Sequence, residues 1–195
     1  MKKFITTVSL ILSFAFSHAQ FTKGSFVVGG STNLSGGIST SKTKSGSTTT
    51  TNGKLSSFSI EPQAGYFVID NLAAGAGLSI SASGYKVDGS SDKFSSTSIS
   101  FTPFARYYYE KFYIQGSVGF GSTKFKDTIN NTTDESKVNI GSWGLLVGYT
   151  WFISPAIALE PQLGYSSISR KDGSDSKLIN SGLAFGIGLY GYISR

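Results

Sequence analysis

Between Phe58 and Val68 the chain alternates without a break. Phe58, Ile60, Pro62, Ala64, Tyr66 and Val68 fall on one face, and Ser59, Glu61, Gln63, Gly65 and Phe67 on the other. A period of two belongs to a strand and excludes a helix. The pattern recurs where Trp143, Leu145, Val147, Tyr149 and Trp151 alternate with Ser142, Gly144, Leu146, Gly148 and Thr150. It recurs again at Ile157, Leu159, Pro161, Leu163 and Tyr165, and at Leu183, Phe185, Ile187 and Leu189. The second face is made of Gly, Ser, Ala and a few polar groups, small rather than charged. Charged residues are 14% of the chain, against about 25% in an ordinary soluble domain. That is too few to coat a water-exposed exterior. A soluble sandwich or lipocalin turns its bulky residues inward. Here the pattern fits a barrel turned inside out, with bulky residues toward lipid and small or polar ones in a narrow lumen.

The start of the chain supports export. MKKFITTVSLILSFAFSHAQ carries Lys2 and Lys3, an apolar run from Phe4 to Phe16, and small residues at Ser17 and Ala19. This is the pattern of a secretory signal peptide over residues 1–19, leaving a mature domain at 20–195. The apolar run is shorter than the roughly 20 residues a spanning helix needs. Cleavage would remove Lys2, Lys3 and His18, the single histidine, lowering the formal charge from +6 to +4. With no cysteine anywhere, disulfides and thiolate chemistry are excluded.

Polar turns divide the mature chain into eight strands, near residues 24–36, 57–69, 72–86, 94–109, 112–126, 138–153, 156–170 and 178–193. Short turns at Asp70-Asn71, Glu110-Lys111 and Ser154-Pro155 alternate with longer polar segments at 37–56, 87–93, 127–137 and 171–177. Short periplasmic turns alternating with longer external loops are the layout of an outer-membrane barrel. The expected fold is therefore all-β, an eight-stranded antiparallel up-and-down transmembrane barrel, its first strand paired with its last. Tyr66, Tyr107, Tyr109, Phe112, Tyr149, Trp151, Tyr190 and Tyr192 flank the short turns or the C-terminus. Their position suits an interfacial aromatic girdle.

The signal peptide ending SHAQ, the hairpins GYFVIDNLAAGAGL (65–78) and GYTWFISPAIALEPQLGY (148–165), and the final strand GLAFGIGLYGYI (182–193) carry a resemblance. The chain resembles the small OmpA-like and OmpX-like outer-membrane β-barrel proteins, in the form common in Bacteroidetes and labelled there a porin family. The resemblance covers the mature chain and implies the outer membrane of a Gram-negative cell, insertion by the barrel-assembly machinery and contact with outer-membrane lipid. The family often ends in an aromatic residue, whereas this chain ends Ile193-Ser194-Arg195, so Tyr190 and Tyr192 stand in for that signal.

Without histidine, a mature chain has no imidazole base for nucleophilic catalysis. No catalytic, cofactor-binding or metal-binding set is expected. The chemistry that remains is luminal. Glu61 and Glu160 lie in the near-identical hexapeptides EPQAGY (61–66) and EPQLGY (160–165), and Arg106 alternates inward with Phe104 and Tyr108. An ion in a narrow barrel needs a partner. Arg106 paired with one or both glutamates is one reading; separate hydration of each is the other. Lys42, Lys44 and Lys54 offer phosphate contacts to lipopolysaccharide, but their Ser/Thr/Gly-rich surroundings also suit a plain solvated loop. The dispersed positive charge gives nucleic acid no dense patch. The expectation is a non-enzymatic, monomeric envelope barrel with a structural, surface-interaction or narrow-channel role. The alternative is a secreted lipocalin-like barrel for a small apolar ligand, and the two differ in which face is bulky.

Overall fold

In the computed structural model, residues 21–31, 35–45, 47–171 and 177–194 are described; the expected signal peptide, 1–19, lies outside them. The strands are β1 (Phe26–Ser31), β2 (Ser35–Ser45), β3 (Thr48–Ile60), β4 (Pro62–Ile69), β5 (Leu72–Val87), β6 (Lys93–Tyr109), β7 (Phe112–Ile129), β8 (Thr132–Tyr149), β9 (Trp151–Phe152), β10 (Ile157–Lys171) and β11 (Lys177–Ile193). All pairings are antiparallel, and together they make one sheet. Segments β3 and β4 both pair with β5, β1 and β2 lie beside β4 and β3, and β8 and β9 both pair with β10. The eleven segments therefore form eight staves. The ring closes where β1 meets β11, from Phe26 opposite Ile193 to Ser31 opposite Gly188.

The alternation sorts the two faces. Phe58, Leu145, Leu163 and Ile187 are exposed outward, while Phe67, Tyr108 and Glu160 on the opposite parity are buried. The ladder is interrupted at three prolines. Pairing with β5 passes from Ile60 opposite Ile80 to Gln63 opposite Gly77, skipping Pro62. Between β6 and β7 it passes over Pro103, and between β10 and its β8–β9 neighbour over Pro161. A residue without an N–H cannot donate to a ladder, so each proline sits where a bond is already missing.

Two segments expected as loops are largely strand. Residues 37–56 form most of a β2–β3 hairpin, and residues 127–137 are crossed by a two-residue turn at Asn130-Asn131 between β7 and β8. Polar composition suggested loops there, but β-branched Thr48–Thr51 suits a strand. Asn130 and Asn131 both take positive φ, 50° and 64°, which is the backbone of a tight hairpin turn whose twist matches its strands. The segment at 87–93 is a short connection, with strand ending at Val87 and resuming at Lys93; most of 171–177 lies outside the described residues.

These extended hairpins reverse the polarity of the wall. Near the short turns the outward face is apolar. Toward the far end it carries Lys54, Lys86, Lys93 and Lys126, while Leu55, Tyr85 and Phe94 take the inward parity. The change along single strands marks where a lipid-facing wall gives way to a water-facing one.

The Asn130-Asn131 turn supports a direct test. Asn131→Val puts a β-branched residue at positive φ, at a cost of about 1–2 kcal/mol, whereas Asn131→Gly suits the turn. The Val variant is expected to unfold at lower urea than the Gly variant, read by circular dichroism of protein refolded in detergent micelles.

Candidate functional site

The lumen is not an open tube. At the short-turn end, β6 turns Phe104, Arg106 and Tyr108 inward, and β10 presents Glu160 from a non-adjacent stave. Arg106 and Glu160 are 1% and 0% exposed, and Arg106 Nη1 lies 2.9 Å from Glu160 Oε2. The guanidinium also donates from Nε to Gln115 Oε1 at 2.7 Å and from Nη1 to the Tyr108 hydroxyl at 3.2 Å. Its carbon lies 4.3 Å from the Tyr113 ring centre and 4.6 Å from that of Tyr190, within cation–π range. The second oxygen of Glu160 accepts from Thr150 Oγ1 at 3.2 Å and from the Tyr192 hydroxyl.

Burying one ion alone costs several kcal/mol, and an ion pair offsets this only when the remaining donors and acceptors are also met. Here both carboxylate oxygens are used, and five staves contribute: β6, β7, the β8–β9 stave, β10 and β11. Glycines make room for the rings. A Cβ on Gly148 would collide with the Tyr113 ring and hydroxyl, and one on Gly188 with the Tyr190 ring.

Phe21 closes the mouth below. Its ring stacks on Tyr108 at 4.3 Å and touches Phe67, Phe152 and Tyr192. Its carbonyl accepts from the Asn71 amide at 2.7 Å. Above the ion pair the lumen opens into two adjoining cavities of about 270 and 210 Å³. Both are lined by Glu61, Gln63 and Thr102; Ser98, Ser100 and Arg170 extend the first, and Gln115, Ser117 and Gln162 the second. The arrangement can block passage at the floor and hold water or small polar molecules above it.

Of the three ionic residues singled out in the sequence, the structure joins Arg106 to Glu160. Glu61 is outside that set and accepts from Ser79 Oγ at 3.2 Å on the cavity wall. Among the expected girdle residues, Tyr66, Tyr107, Tyr109, Phe112 and Trp151 are exposed. Tyr149 is half-buried, with its ring against Phe112. Tyr190 and Tyr192 require correction, because they are buried in the lumen. The signal was present: the period that sends Leu183 to Leu189 outward sends residues 190 and 192 inward. Gln115, Thr150 and the cap formed by Phe21 were missed. The register across the short Glu110-Lys111 turn places Gln115 directly opposite Arg106, and Thr150 meets Glu160 across the adjacent β9–β10 pairing, whereas the seat of Phe21 is seen only in the closed ring.

A closed antiparallel ring with an apolar outer wall, a polar lumen and exposed aromatic rings near its short turns defines an outer-membrane β-barrel. The chain belongs to the autotransporter beta-domain family, whose model matches residues 64–184. A comparison with curated protein sequences finds no match. Among solved structures, the chain is similar to Neisserial surface protein A, with 14% identity over 89% of this chain and 100% of that one and a TM-score of 0.39. It is similar to the translocator domain of the autotransporter NalP from Neisseria meningitidis, with 18% identity over 96% and 67% and a TM-score of 0.45. The attachment invasion locus protein Ail of Yersinia pestis gives 15% identity over 88% and 99% and a TM-score of 0.45. The fold assignment rests on this chain's own strand pairing.

Arg106→Ala and Glu160→Ala are each expected to lower the stability of the refolded barrel by about 3–5 kcal/mol, because each strands a buried charge. The double variant should lose less than the sum of the two, measured by denaturant titration as a double-mutant cycle. Gly148→Val, which displaces the Tyr113 ring from the guanidinium, should also destabilise.

Proposed function

We propose that the protein is a non-enzymatic integral barrel of the Gram-negative outer membrane, serving as a closed wall element that presents its long hairpins at the cell surface. The observation that carries this reading is the Arg106–Glu160 pair, 2.9 Å apart and buried across the lumen, inside a wall whose exterior is apolar. An eight-stave barrel has an interior about wide enough for its own side chains. The pair, the surrounding tyrosines and Phe21 occupy that width at the floor. Passage of an extended polypeptide would require this whole set to be displaced. Narrow-channel conduction is disfavoured for the same reason, and surface interaction through the hairpins is the role left to the molecule.

The secreted lipocalin-like alternative needs an apolar interior and a polar exterior. The outward exposure of Phe101, Phe120, Trp143, Leu145 and Val147 speaks against it. The reading includes an exported precursor cleaved after Ala19, a monomer, and insertion by the barrel-assembly machinery.

Cell fractionation tests the location. The protein should stay in the membrane pellet after carbonate extraction and change its gel mobility on boiling; recovery as soluble protein with no heat shift would overturn the reading. Reconstituted in liposomes, the wild type should show no swelling in small sugars. The Arg106→Ala/Glu160→Ala variant, with the ion pair taken out of the floor, should admit them faster. A wild type that conducts as well as this variant would refute the closed floor.

A further inference from the structure

The outward face of the far end carries a feature that the closed wall does not use. Lys54 lies directly opposite Lys86, and Lys86 directly opposite Lys93, on the adjacent strands β3, β5 and β6. On β7, Lys126 lies opposite Ser95, two residues along β6 from Lys93. Like charges directly opposite across a ladder are destabilising, yet this wall places three in one row. All three are exposed. Among the described residues, none of them has a carboxylate within ion-pairing distance; Glu135 reaches Lys126, at 3.1 Å.

The second observation is the shape beneath the row. A depression of about 290 Å³ is lined by all four lysines together with Ile38, Ser56, Gly84, Ser95 and Thr128 on the outward parity, and by Leu55, Tyr85 and Phe94 of the inward parity. It adjoins a second depression of about 460 Å³ that shares Ile38, Ser56, Gly84 and Ser95 and continues to Phe58, Ala82 and Thr97. Between the lysines and Phe58 the outward positions on β3, β5 and β6 are small, Ser56, Ala82, Gly84, Ser95 and Thr97, and two turn their hydroxyls back onto the wall: Ser56 Oγ donates to the Gly84 carbonyl and Ser95 Oγ to that of Lys126, both at 3.4 Å. Further along the same staves the wall becomes apolar, with Ile99, Phe101 and Phe120 exposed. At about 3.3 Å per residue, the lysines stand about 13–20 Å along the strand from Phe58 and Ile99. That is headgroup height for a tilted stave.

We propose that Lys54, Lys86 and Lys93, with Lys126 at the edge, bind the phosphate of a phosphorylated outer-leaflet lipid whose acyl chains lie in the trough toward Phe58. The inference rests on the outer-membrane reading, since that membrane supplies the lipid. Three ammonium groups carried side by side on adjacent strands match a phosphate in charge, and bound phosphate turns their mutual repulsion into attraction. A headgroup held by the lysines places its chains over the small-residue floor, where a Leu or Phe side chain would stand in the way. A free anion would use the lysines and leave the trough empty.

The test uses full-length barrel in phosphatidylcholine nanodiscs, with bisphosphorylated lipid A, its dephosphorylated form or inorganic phosphate added, and bound lipid counted by native mass spectrometry. The wild type should retain bisphosphorylated lipid A. The Lys54→Gln/Lys86→Gln/Lys93→Gln variant should retain at least about tenfold less, because each lysine near a charged lipid surface adds to the attraction. Lys42→Gln/Lys44→Gln, which removes lysines elsewhere on the same end, should match the wild type. Retention should weaken as salt rises from about 0.1 M to 1 M and the screening length falls from about 10 to 3 Å. Without phosphorylated lipid, the triple variant should be at least as stable as the wild type, because the repulsion is gone. Equal retention by the triple variant, equal loss in the Lys42/Lys44 control, or displacement of the lipid by inorganic phosphate would each overturn the assignment. Gel heat shift on the same samples separates the two failures: a barrel that shifts but retains no lipid refutes the lysine row alone, and one that does not shift refutes the membrane reading.

Discussion

Hydrocarbon offers a peptide group nothing to bond to, and the rest of this structure depends on that constraint. Each spanning segment must find its partners within the sheet, and the sheet must have no edge at membrane depth. Eight staves closed from β1 to β11 meet the requirement. They also dictate a bore so narrow that side chains fill it. Everything inside then becomes a packing problem between polar groups. The solution at the floor is an ion pair with its hydrogen bonds supplied from around the wall.

Arg106 and Glu160 thereby link staves that the ladder does not join directly. Backbone pairing holds each stave to its two neighbours, whereas the guanidinium–carboxylate contact, with the Tyr108–Tyr192 hydroxyl pair, ties across the lumen, and Gln115, Thr150 and Tyr192 meet the remaining polar atoms from adjacent staves. The aromatic rings against this set lie over glycines, Tyr113 over Gly148 on the neighbouring strand and Tyr190 over Gly188 on its own. Small residues in the lumen are therefore not vacant space; at the floor they are the seats of rings.

Much of this was legible in the sequence because a strand has one periodicity and a barrel wall has two faces. Counting by twos puts Phe67, Arg106 and Glu160 inside and Leu145 and Phe185 outside, and the structure agrees. The same count would have turned Tyr190 and Tyr192 inward, but their nearness to the C-terminus and the interface preference of tyrosine suggested the girdle. Polar composition hid the hairpins at 37–56 and 127–137, because a strand that projects into water on both faces loses its contrast of bulky and small. Choosing between Glu61 and Glu160 as partner to Arg106 was beyond a linear reading. Both share a hexapeptide and a face, and only the closed ring decides which one stands across from β6.

Phe21 shows what ring closure means in time. Its ring touches Phe67 on β4, Tyr108 on β6, Phe152 on β9 and Tyr192 on β11, so its seat is assembled from early, middle and late parts of the chain. No sheet that lacks the last strand contains all four walls of that seat. Phe21 can therefore complete its seat only after β11 is in place, which makes its environment a clock for the late stage of assembly. A spectroscopic label at this residue would stay silent while the earlier strands assemble and register the arrival of the last one.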